Sequence, residues 1–301
     1  MDHSGNLIYS NMDSNKKIYE SPYKKYMIGN NIPIKLIIFC ERFNKATDGL
    51  FKNFSFINTF ISGGLISGMM EVFYDETIYK NFNIDIFVYS EYTNILKQRM
   101  FDAISNIVKE LPNSYILYSR KNGYNIYNIL SPDFPRIIKI VGYLLPTAKE
   151  VIRTFDLTHS QVGFDGTKII CTKNYLDTCK TRTVKIKSQS VSISKLIKAY
   201  NRGYNIQISE NIVVKLHQGQ FIHPFKIDFS SINFLTNNFS DINVNKKKSY
   251  IPTHKEKEVD IILNLSKHYP NTLQMKKRVV DLSQFFNLTY NEHYCLITSK
   301  L

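Results

Sequence analysis

Residues 61–87 read ISGGLISGMMEVFYDETIYKNFNIDIF, and this stretch decides the fold. The apolar run before it predicts a buried strand, Phe56–Ser62, that ends on the diglycine Gly63-Gly64. Roughly Leu65–Val72 reads as a short helix. Asp85 then opens a second strand, whose alternation sends Asp85 and Phe87 to one face and Ile86 and Val88 to the other. Two residues without a Cβ let an anion approach the backbone N–H groups, and the helix would point its positive end at the same place. An acid facing such a turn is what magnesium-dependent nucleotide chemistry needs.

Outward from this centre the periodicity alternates between helix and strand. Ile34 to about Asn53 predicts a helix through Ile37, Ile38, Cys40, Phe43 and Leu50. Tyr92–Leu111 carries Ile95, Leu96, Met100, Ile104, Ile107 and Val108 close to a single stripe. Tyr115–Ser119 and Tyr124–Leu130 flank Lys121-Asn122-Gly123, a hairpin signal. Arg136–Tyr143 reads as a central strand and Thr147–Thr154 as a helix with Pro146 near its first turn. Phe155 opens an alternating stretch that Asp165-Gly166 turns into Lys168–Cys171. This order predicts an α/β or α+β domain: a mixed sheet with flanking helices, followed by a basic helical region.

Four segments follow. Residues 1–32 read as a polar arm, 33–190 as the core, 191–240 as a basic helix with an irregular aromatic segment, and 241–301 as a basic helical region. Within the last, Glu256–His268 and Leu273–Phe286 read as helices.

The chain has 39 Lys and Arg against 25 Asp and Glu, and this net charge of +14 favours polyanionic partners. Candidate phosphate contacts are Lys195, Lys198 and Arg202 on the basic helix, Lys246-Lys247-Lys248, and Lys276-Lys277-Arg278. The expected partner is nucleic acid, RNA first. No apolar run approaches the roughly 20 residues that span a bilayer. None of the four cysteines forms a Cys-x-x-Cys pair, and no leader-like segment opens the sequence, so the expectation is a reduced, intracellular (cytoplasmic) protein. His217 and His223 have no cysteines placed to complete a zinc set and read as loop residues. Heavy use of Asn, Ile and Lys suggests an AT-rich coding genome, such as that of a large DNA virus, a phage or an AT-rich microbe.

Three motifs together resemble the nucleotidyltransferase (DNA polymerase beta-like) superfamily: Gly63-Gly64, then Asn83-Ile84-Asp85, then Phe155-Asp156-Leu157. Phe155–Gly166 and the later stretch from Ser192 to Tyr204 also resemble phage and large-virus members, so the likeness covers roughly residues 55–205. It implies transfer of a nucleoside monophosphate from an NTP to a hydroxyl. Asp85 would bridge two magnesium (or manganese) ions, Asp156 would be the third acid, and Asn83 would stand at the first metal-ligand position. Ser62, Gly63 and Gly64 would hold the β- and γ-phosphates.

Departures from that pattern matter. Asn83 replaces the first acid, and Ser67 and Gly68 stand where relatives tend to carry Arg-Asp. Losing one carboxylate from a two-metal site costs several kcal/mol of charge stabilisation, roughly a thousandfold in rate. Two functions therefore follow from the resemblance. One is a protein with a degenerate metal site that binds nucleic acid or a partner protein without transfer. The other is an active enzyme acting on an RNA end, a tRNA or a protein hydroxyl.

Overall fold

The computed structural model describes residues 15–22, 34–72, 74–79, 82–121, 123–216, 220–229, 274–276 and 295–300. In chain order the elements begin with β1 (Lys16–Tyr19), α1 (Leu36–Ala46), β2 (Thr59–Ser62), α2 (Gly64–Met69), α3 (Glu76–Tyr79) and β3 (Ile84–Tyr89). Then come α4 (Thr93–Glu110), β4 (Tyr115–Lys121), β5 (Tyr124–Ser131), β6 (Phe134–Tyr143) and α5 (Ala148–Arg153). A 3-10 turn (Thr158–Ser160) leads to β7 (Val162–Phe164), β8 (Ile169–Cys171), α6 (Lys173–Thr181), β9 (Thr183–Lys185) and β10 (Ser190–Ser192). The rest are α7 (Ile193–Asn201), β11 (Asn205–Ser209), β12 (Val213–Lys215), β13 (Phe221–Ile222), β14 (Gln274–Lys276) and β15 (Cys295–Lys300). The class is α+β, as the periodicity predicts.

The chain divides into two units. The larger takes in residues 34–153, 160–172, 274–276 and 295–300 among those described, and is built on a mixed sheet of order β14-β15-β4-β5-β6-β3-β2-β7-β8. β3 and β6 run parallel while their other neighbours are antiparallel. Ile61, Ile86 and Ile140 line up across β2, β3 and β6, and all three are fully buried. Each such side chain contributes about 1.5–3 kcal/mol of burial. α4 packs on β3 and β6, burying Leu96, Met100, Ile104, Ile107 and Val108 but leaving Ile95 largely exposed.

α1 is rotated from the expected phase. Phe39, Phe43 and Ala46 face inward, whereas Ile37 is 64% exposed. The reason is aromatic packing: Phe39 and Phe43 both meet the ring of Phe164 on β7, at 5.1 and 5.2 Å between centroids. Two arginines close helix ends in this unit. Arg42 donates to the carbonyls of Met69, the last residue of α2, and of Glu71 just beyond it. Arg136 donates to those of Ala46, Tyr79 and Phe82.

The smaller unit takes in residues 15–22, 154–159 and 173–229 among those described. It holds two three-stranded sheets, β1-β11-β9 and β10-β12-β13, with α6 and α7. Lys16–Tyr19, expected within a polar arm, is a strand pairing antiparallel with β11. It is anchored because Tyr19 packs edge-on against Phe229, whose other neighbour is Tyr200. α7 buries Ile193, Leu196, Ile197 and Ala199.

Phe155–Leu157 is not the strand that its alternation predicts. Asp156 lies in a bend, Leu157 makes a single antiparallel bridge with Ile186, and the 3-10 turn follows at once. The expected helix Glu256–His268 lies outside the described residues. So does most of Leu273–Phe286, of which Gln274–Lys276 is a strand.

Candidate functional site

In the larger unit the expected turn forms. Ser62 ends β2 directly opposite Asp85, and Lys139 is the partner of Asp85 on the other side. Gly63 has φ +91°, a region closed to ordinary side chains, and Gly64 begins α2. A Cβ on Gly63 would meet the Asp85 carboxylate, so this turn accepts no other residue without displacing the acid. Asp85 is half-buried on the face that also carries Phe87, as the alternation requires.

The other groups around the turn are occupied locally. Ser62 is fully buried and its hydroxyl donates to the Val162 carbonyl, which holds β2 to β7 rather than offering an oxygen outward. Asn83 is exposed and precedes the strand. Ser67 and Gly68 are both buried within α2. A Cβ on Gly68 would overlap the Tyr79 ring at 2.1 Å, so packing explains why this position is glycine.

Asp156 belongs to the smaller unit. Its carbonyl accepts from the Lys187 amide at 2.7 Å, and its carboxylate forms an ion pair with Lys195 of α7. A cation would have to displace that ammonium to use the carboxylate as a ligand. Among the described residues, no group of three or more His, Cys, Asp and Glu is placed to hold a metal ion.

Beside Asp156 lies a cluster that spacing alone does not reveal. His159 is buried, with its ring 5.2 Å from that of Tyr204. The Arg182 guanidinium sits 3.8 Å above the same tyrosine and donates to the Arg202 carbonyl. Burial, then the charges of Arg202, Arg182 and Lys195, hold His159 well below the usual histidine range, which favours its neutral form. Thr158 completes the local frame through its hydroxyl, which meets Thr178 at 2.6 Å and accepts from the Lys185 amide at 3.0 Å.

The expected phosphate contacts separate. Lys195 is engaged by Asp156, Lys198 is half-buried on α7, and Arg202 is only 5% exposed, so its guanidinium is turned into the unit. Arg202 was expected to face nucleic acid because it ends a basic helix; it follows α7 at the cap, where Gly203 reverses the chain. Lys246, Lys247, Lys248, Lys277 and Arg278 lie outside the described residues, and Lys276 falls in β14. His223 is exposed, its ring accepting from the Phe225 amide, while His217 lies outside the described residues.

Exposed lysines outside the sequence motifs stand elsewhere: Lys16 and Lys17 on β1, Lys185 on β9, and Lys187 just after it. Among the described residues, the smaller unit carries twelve Lys and Arg against five Asp and Glu. The larger carries sixteen against twelve. Among the described residues the net positive charge is therefore greater in the smaller unit.

Residues 34–182, just under half the chain, match the family model described as Gabija anti-defense 2 family protein (Gad2). No curated protein matches the chain. The family match overturns the resemblance to the nucleotidyltransferase superfamily, because the matched segment contains Gly63-Gly64, Asn83-Ile84-Asp85 and Phe155-Asp156-Leu157 and the specific family it defines is Gad2. The bend at Asp156 agrees with that correction, since the third motif requires a strand there. Among the described residues, no helix is long and apolar enough to cross a membrane.

Proposed function

We propose that this chain is a phage-encoded anti-defence protein of the Gad2 kind, acting in the host cell by binding a component of the defence rather than by group-transfer chemistry. The observation that carries the reading is the family match over residues 34–182, which takes in the larger unit's contiguous run from α1 to α5. The contacts around the acids support the binding half of it. The Ser62 hydroxyl is spent on β7, and the Asp156 carboxylate holds Lys195.

The test is infection of bacteria carrying a Gabija defence, with and without the chain expressed. Restored plaque formation is the expected result. Unchanged protection in cells that accumulate the protein would sink the reading.

A further inference from the structure

We propose that the outer face of the β1-β11-β9 sheet is a nucleic-acid-binding surface that grips the phosphate backbone through Lys16, Lys185 and Lys187. The surface stands on the smaller unit's own geometry, whether or not the chain counters Gabija.

Register fixes which side chains share that face. Ile18, Gln207 and Lys185 are direct partners across the three strands, and Lys16 is the partner of Ser209 in the next outward row. The opposite face holds Ile206, Ile208 and Val184, all fully buried, so it is the inner one. The outer residues are correspondingly accessible: Lys16 and Lys185 are exposed, Gln207 and Ser209 partly so, and Ile18 is 45% exposed. One step beyond β9, the Leu157–Ile186 bridge keeps the chain extended, and Lys187 returns to the exposed side.

Spacing suits a phosphate chain. Side chains two residues apart on an extended strand lie about 7 Å from one another. That is on the scale of the separation between neighbouring phosphates along one nucleic-acid strand. Three strands span about 10 Å, so Lys16 and Lys185 flank a strip in which Gln207 and Ser209 offer hydrogen bonds. Such polar groups and lysines are the usual phosphate and sugar contacts. A membrane fits poorly, because Ile18 is the sole large apolar side chain among the outward residues named, and surface insertion needs a broad apolar face.

The test is fluorescence anisotropy with the full chain and labelled 20-nucleotide probes: duplex DNA, single-stranded DNA and single-stranded RNA, each over a salt series. The expected result is binding that weakens with salt. Lys16→Gln/Lys185→Gln/Lys187→Gln should bind at least about tenfold more weakly, with a salt slope reduced by up to about 3. The arginine triple variant should keep the affinity, which separates charge from folding. A control in the larger unit, Lys52→Gln/Lys109→Gln/Lys149→Gln, should bind like the native chain. The proposal fails if no probe binds, if both glutamine variants weaken binding equally, or if only acidic-lipid vesicles or polyglutamate are bound.

Discussion

A Cβ on Gly63 would stand 2.5 Å from Oδ2 of Asp85, so the turn glycine and the acid are fitted to each other across the β2–β3 ladder. The same fit makes a prediction about stability. Gly63→Ala should lose about 1–3 kcal/mol from its positive φ and a further 1–3 kcal/mol, roughly, from the overlap. In an Asp85→Ala background the overlap disappears, because the remaining Asp85 Cβ lies at 3.5 Å. Urea unfolding of the four proteins in a double-mutant cycle should therefore give a coupling above about 1 kcal/mol. Additive losses would show that the two residues are not fitted.

Arg136 is predicted to be a structural residue of the larger unit. It is 5% exposed and donates to three carbonyls, from Ala46, Tyr79 and Phe82. Arg136→Met preserves apolar bulk but strips those acceptors, at about 1–3 kcal/mol for each one left buried. A drop above about 2 kcal/mol in unfolding free energy is expected, with Arg136→Lys recovering part of it. A loss under 0.5 kcal/mol, the range of roughly neutral surface changes, would contradict this role.

His159 predicts a pH dependence of defined sign. Its folded pKa is depressed, so below the ordinary value of 6.5 the unfolded chain binds a proton that the folded one does not. Its stabilising contribution is complete above about pH 6.5 and declines as the pH falls, with a slope of at most about 1.4 kcal/mol per pH unit. Thermal or urea unfolding between pH 7.5 and 5 should show this decline, and His159→Asn should be flatter over the same range. Equal slopes for the two proteins would exclude it.

What the sequence makes legible is the local grammar of the larger unit. The diglycine turn, the alternation around Asp85, the α4 stripe and the β4–β5 hairpin all follow from periods and turn residues acting within a few positions. Where partners distant in sequence decide, the reading fails. Phe164 sets the rotation of α1, and Ile186 turns Phe155–Leu157 into a bridge instead of a strand. Lys16–Tyr19 becomes ordered by pairing with Ile206–Ser209, nearly two hundred residues away.

The site was legible in the same uneven way. Ser62, Gly63 and Asp85 are brought together by one hairpin-like ladder, and their proximity could be read from the order of strand, turn and strand. The engagement of Asp156 by Lys195 and the burial of Arg202 depend on how α7 packs, which charge and spacing do not report. Family likeness drawn from short motifs proved weaker still. The same three motifs lie within the segment matched by Gad2.

The central claim is anti-defence by binding, without chemistry from the two acids. Its most direct measurement is the plaquing efficiency of a phage on Gabija-protected cells that express either the native chain or Asp85→Asn/Asp156→Asn. Both proteins should restore plaques to a similar extent, with the variant accumulating normally. Restoration by neither, or by the native chain alone while the variant is folded and abundant, would contradict the account.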